Sequence, residues 1–180
     1  MIIDKDTVRT TCKKIAPKHK LEWELVYAVC LQESERTKKG EFNPEMARLE
    51  NNYYRKYVAN NLEFASTSEG LLAMSWGIMQ MMGLSLLELG FFPWYFNQCS
   101  PSMQALLGKS TSQFAIPSAL DAYVVNVEWM IEWGCRLLVK KISAAGGDIP
   151  KGLLRWNGGG NPQYNGEVME KYNLIKEGKL

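Results

Sequence analysis

Residues 25–31 read Leu-Val-Tyr-Ala-Val-Cys-Leu, with Trp23 just ahead of them and no charge among them. Wound as a helix, this run is apolar on nearly every side. Such a helix has no face to offer water and must be packed round by other elements. The chain is therefore expected to build itself about a central helix over residues 21–38. Arg36, Lys38 and Lys39 suit the negative end of that helix, and Gly40 suits a stop. Directly after the apolar run come Gln32, Glu33 and Ser34. An ionised carboxylate is costly to bury, so Glu33 at this place needs an explanation. One is an exposed last-turn acid paired with Arg36 or Lys38. The other is a proton donor: desolvation favours the neutral carboxyl and raises its pKa, which suits a group that protonates a leaving oxygen.

The rest of the chain also reads as helix. Asp4 or Asp6 can cap a first helix in which Val8, Cys12 and Ile15 share a face, and Pro17 ends it. Residues 44–60 suggest one short helix plus a loop. Ser66 and Glu69 form a capping-box pattern before another short helix. Gly77 interrupts the next stretch, and a helix follows to Leu89. Gly90, Pro93 and Pro101 bound an aromatic loop. Residues 118–143 form the longest helical pattern, ended by Gly146 and Gly147. Pro150 opens a short helix to Trp156. A glycine-rich loop leads to a terminal helix over residues 168–175. No alternating strand of useful length, internal repeat or low-complexity segment stands out. The expected class is mainly α.

Composition narrows the function classes. The chain has 180 residues, fitting a single domain over 1–180, with 46% hydrophobic and 22% charged residues. Net charge is +2, and acids are interleaved with the lysines and arginines. No basic stripe marks a nucleic-acid partner. Cys12, Cys30, Cys99 and Cys135 lie far apart and His19 is the single histidine, so no metal-ligand spacing appears. Buried free thiols are expected rather than disulfides. No apolar run is long enough for a membrane span. The start, MIIDKDTVRT, lacks the pattern of a secretory signal peptide. Synthesis in the cytoplasm and some other route outward are the expectation.

Three separated stretches invite joint reading. The first is Gln32-Glu33-Ser34. The second is Ser75-Trp-Gly-Ile-Met-Gln-Met-Met82, in which Gly77 permits positive φ and Gln80 offers both a donor and an acceptor. The third runs from Leu153 through Trp156, Asn157 and three glycines to Tyr164 and Val168. Aromatic faces stack on sugar rings, and amides bind sugar hydroxyls. Each stretch alone has a plain packing explanation.

In order, these stretches resemble the lytic transglycosylase and goose-type lysozyme superfamily. Its pattern of an ES pair, G-L-M-Q, Y-N-x-G and Y-x-x-x-V is matched by Glu33-Ser34, Gly77-Ile78-Met79-Gln80, Trp156-Asn157-Gly158-Gly159, and Tyr164 with Val168. The text around Gly77 is similar to that of phage-encoded muramidases and transglycosylases. The resemblance implies a lysozyme-like, two-lobed helical domain with a substrate cleft. It implies cleavage of the β-1,4 bond between N-acetylmuramic acid and N-acetylglucosamine in peptidoglycan glycan strands, without metal or cofactor, by a monomer. By carry-over, Glu33 is the catalytic acid and then base. Ser34 supports the sugar or its acetamido group, Gln80 and the backbone around Met79 line the cleft, and Asn157 and Tyr164 hold substrate. Trp156, also a substrate-binding candidate, stands where the family has Tyr; it keeps the aromatic packing but not that hydroxyl.

Hydrolytic glycosidases normally use two carboxylates. No Asp or Glu lies between Gly70 and Leu87; Glu50 and Glu69 are the upstream candidates. The one-acid mechanism that the resemblance implies, which yields a 1,6-anhydromuramyl product, is therefore the expectation. A hydrolytic muramidase and a non-catalytic peptidoglycan-binding or virion structural protein are the alternatives. A phage lysin released through a holin, a virion component and an exported bacterial enzyme all fit action at the cell wall.

Overall fold

The computed structural model describes residues 2–34, 41–42, 48–49 and 68–180. The apolar run lies in helix α2 (Trp23–Ser34), where every residue from 25 to 31 is buried. Val26, Tyr27, Ala28, Val29 and Cys30 are each 0% exposed. Five consecutive buried side chains point in all directions around a helix, so α2 is enclosed as its composition requires. Its main neighbours are α1 (Lys5–Ile15) and α10 (Tyr164–Lys176).

Helix α1 begins where the sequence predicts. The Asp4 carboxylate accepts from the Thr7 amide at 2.8 Å and the Thr7 hydroxyl at 2.7 Å. This N-cap holds the Asp4 carboxyl below its usual range, through hydrogen bonds to the charged form. Val8, Cys12 and Ile15 are buried along one face. Pro17 sits in a tight 3-10 turn, Ala16–His19, which the left-handed Lys20 closes.

The segment after Gly77 differs from expectation. β4 (Met74–Trp76) and β5 (Met81–Met82) pair as an antiparallel hairpin, and α4 begins only at Gly83 (Gly83–Glu88). β3 (Arg48–Leu49) completes that ribbon, and β1 (Ile3–Asp4) pairs with β2 (Glu41–Phe42). These strands are too short to show alternation in sequence. Before the hairpin lies α3 (Ser68–Leu72). The expected cap at Ser66, all of the segment 44–60 but Arg48 and Leu49, and the predicted end of α2 at residues 35–38 lie outside the described residues.

The expected aromatic loop is instead helix α5 (Phe91–Gln98), followed by α6 (Pro101–Leu107). Both prolines fall in a first helical turn, where the missing N–H has no partner to lose. Ser100 caps α6 through the Met103 amide at 3.3 Å. Phe91 packs edge-on against Tyr123 and Trp133, each 5.3 Å away between ring centres. The long pattern over 118–143 is two helices, α7 (Ala115–Val124) and α8 (Val127–Ser143). Asn126 divides them: its side chain accepts from the Trp129 amide at 3.0 Å and starts a new helix. Both halves face the same core, so the apolar periodicity runs across the break. α9 (Ile149–Trp156) has Pro150 in its first turn, as expected, and opens on Asp148, whose side chain caps it.

The architecture is mainly helical, and its buried side chains form a continuous core around α2 and α8. Cys12, Cys30 and Cys135 are buried free thiols. Burial and then the neighbouring Cys12 push the Cys30 thiol well above its usual range, which keeps it protonated. Among the described residues, no helix is long and apolar enough to cross a membrane.

Candidate functional site

Glu33 lies in the last turn of α2, one turn beyond the buried Cys30. Its side chain is half-buried. Oε1 accepts a hydrogen bond from the Trp156 indole at 2.9 Å and another from the Tyr164 hydroxyl at 2.6 Å. Trp156 ends α9, and Tyr164 begins α10. Packing of α10 against α2 thus brings residues more than a hundred positions apart onto one carboxyl oxygen. Tyr164 is 3% exposed. Burial first, then the charge and hydrogen bond of Glu33, push its hydroxyl far above the ordinary tyrosine range. It stays protonated and remains a donor to Glu33.

Trp156 therefore does more than pack. The pattern that this stretch resembles has a tyrosine there, whose hydroxyl a tryptophan lacks. In the structure the indole N–H is the donor to the acid. A tryptophan donates through nitrogen and cannot accept, so the bond has a fixed sense.

Ser34 is 2% exposed. Its hydroxyl lies 2.7 Å from the Ile78 carbonyl and 3.1 Å from that of Cys30. The carry-over places Ser34 on the sugar; the structure turns it inward, where it pins the hairpin turn to α2. Its polar atom is spent on backbone carbonyls. Ser34→Ala should leave the buried Ile78 carbonyl without this donor and cost about 1–3 kcal/mol. Urea unfolding of both proteins checks this; equal midpoints would remove the pin.

The turn itself is held from two sides. The Ile78 amide approaches the Met130 sulfur at 3.4 Å, and the Gln80 amide and side chain both donate to the Gly77 carbonyl, at 3.1 and 2.9 Å. Gln80 has φ of 46°, uncommon for a residue with a Cβ. It is half-buried. The Met79 side chain is fully buried and packs on Gly134, where an added Cβ would lie 2.1 Å from its sulfur. Only the Met79 backbone can serve a cleft. Asn157 caps α9, and its amide donates to the Asn161 carbonyl at 3.2 Å. The following Gly158 and Gly159 both take left-handed conformations, with φ of 68° and 84°.

The three sequence stretches thus meet: Glu33 joins Trp156 and Tyr164, and Ser34 joins the turn over 77–80. Sequence reading missed Gln32, Glu167 and Lys171, which interlock beside this group. The i, i+3 spacing of Tyr164 and Glu167 was the available signal, since it puts both on one face of α10. Glu35, Glu50 and the side chain of Glu69 lie outside the described residues. No group of three or more His, Cys, Asp or Glu among the described residues could hold a metal ion. A groove lined by Leu21, Leu25, Ile149, Met169 and Tyr172 lies toward the opposite end of α2 and shares no residue with the Glu33 group. Comparison with protein-family models, curated proteins and solved structures finds no match for this chain.

Proposed function

We propose that this protein is a peptidoglycan lytic transglycosylase that cleaves the β-1,4 bond between N-acetylmuramic acid and N-acetylglucosamine. The observation that carries the reading is the Glu33 carboxyl, half-buried at the end of an apolar helix and gripped on one oxygen by Trp156 and Tyr164. The order of the motifs, similar to that of the lytic transglycosylase superfamily, supports it. A lysozyme-like, two-lobed cleft for glycan strands and a site of action at the bacterial cell wall belong to the same proposal.

Glu33 donates its carboxyl proton to the glycosidic oxygen as the bond to muramyl C1 breaks. The substrate's own N-acetyl oxygen stabilises the cation-like C1. Glu33, now ionised, removes the proton of the muramyl 6-hydroxyl, and O6 bonds to C1. The products are a free N-acetylglucosamine 4-hydroxyl and a 1,6-anhydromuramyl end, with no water consumed. The Trp156 and Tyr164 donors steady the carboxylate formed between the two proton transfers. Gln80 and Asn157 present amides to the sugar.

Mass spectrometry of fragments released from purified peptidoglycan tests the reading. Anhydro ends, one water lighter than reducing ends, are expected. Reducing ends would instead establish a hydrolytic muramidase, and binding without release a non-catalytic protein. Trp156→Phe retains a ring and removes the N–H. Its rate of fragment release should fall about tenfold or more, the scale of a hydrogen bond to a charged group. An unchanged rate would mean that the indole does not orient the acid.

A further inference from the structure

Beside the acid lies a second polar chain that the mechanism above does not use. The Lys171 ammonium donates to Gln32 Oε1 at 2.9 Å, and Gln32 Nε2 donates to Glu167 Oε2. The Asn161 amide donates to that same oxygen at 3.1 Å. The Asn161 carbonyl then accepts from Asn157, and its Oδ1 accepts from the Gln163 amide at 2.9 Å. Chemistry fixes every direction. Lysine can only donate, so it must face the Gln32 oxygen, which leaves the Gln32 amide for the carboxylate. Likewise the Asn161 NH₂ faces Glu167, and its oxygen faces the Gln163 N–H. No member has its donors or acceptors set against a like group.

Gln32 is the neighbour of Glu33 on α2, and Asn161 closes the glycine loop that starts at Asn157. Two successive left-handed glycines give that loop little intrinsic preference for one shape. We propose that Glu167 is a positioning residue, the clasp that ties the Asn157–Asn161 loop to α2 and so holds the sugar-binding Asn157 amide ready for substrate before the sugar arrives. The substrate part of this inference rests on the transglycosylase reading; the clasp itself does not. Glu167 accepts both amides on a single oxygen. A glutamine can do the same through its carbonyl, whereas a proton-transferring carboxylate could not be so replaced.

The test uses the full chain with Glu167→Gln, Glu167→Ala and Gln32→Ala. Fragment release is measured on a soluble muropeptide tetrasaccharide, amide hydrogen exchange over residues 157–163, and folding by thermal melting. Glu167→Ala should raise KM about tenfold with kcat within about twofold, reflecting lost hydrogen bonds to a charged group. It should also speed exchange in the loop. Gln32→Ala breaks the clasp from the other side and should repeat both effects, which covers the case of a poorly folded Glu167→Ala. Glu167→Gln should match the wild type in both. Impairment of Glu167→Gln equal to that of Glu167→Ala, or loss of kcat rather than KM, would overturn the positioning role. So would unchanged loop exchange in both alanine variants. Wild-type protein that releases no fragments defeats the transglycosylase reading alone, and the exchange measurements then decide the clasp.

Discussion

Glu33→Gln should abolish the clearing of purified peptidoglycan while leaving the fold in place. Glutamine has nearly the same volume, and its carbonyl can still accept from Trp156 and Tyr164. It has no proton to give and takes none from the sugar hydroxyl. General acid–base groups are worth about 10²–10⁴ in rate. Because one residue performs both transfers in the proposed mechanism, the loss should reach at least about 10³-fold. Turbidity loss of a peptidoglycan suspension measures it, with thermal melting as the control for folding. A folded variant that clears the suspension as fast as wild type would remove Glu33 from the chemistry.

Gly77→Ala should be the most damaging small substitution at the turn. Gly77 has φ of 75°, which costs a residue with a Cβ about 1–2 kcal/mol. The added Cβ would also lie 2.7 Å from the Met130 sulfur and 3.0 Å from the Tyr123 ring. Both neighbours are fully buried, and overpacking of this kind costs about 1–3 kcal/mol. A total of about 2–5 kcal/mol is expected from urea unfolding. Relief of the clash would move the turn away from Met130 and so shift the Ile78 carbonyl that Ser34 holds. Activity should fall together with stability. A Gly77→Ala variant with the wild-type midpoint would show that the turn has space and another conformation available.

Much of the fold was legible because its signals are local. Residues 25–31 announce a buried helix through composition alone, and Asp4 marks a helix start by capping the amide three residues on. The misreadings share a cause as well. Pro93 and Pro101 look like breakers until they are seen in first turns, where proline loses nothing. Asn126 looks like a polar interruption in one long helix, yet it caps a second. The hairpin β4–β5 is too short for a period of two to register. At the site, the residue types were visible and their partners were not. Ser34 reads as a sugar contact because it adjoins Glu33. On a helix, however, adjacent residues point about 100° apart, and Ser34 turns into the protein.

Local pattern was enough to make the chain mainly helical, to put α2 at its centre, and to leave a carboxyl group at the edge of that burial. Those outcomes follow from side-chain periodicity and from hydrogen bonds spanning three or four residues, which neighbours along the chain decide. What surrounds the carboxyl is a matter of docking. The packing of α10 against α2, and of α9 against α8 and α10, delivers an indole and a phenol to Glu33 and sets Glu167 against Gln32. The direction of a donor across such an interface depends on where two helices meet, and no local pattern in the chain encodes that.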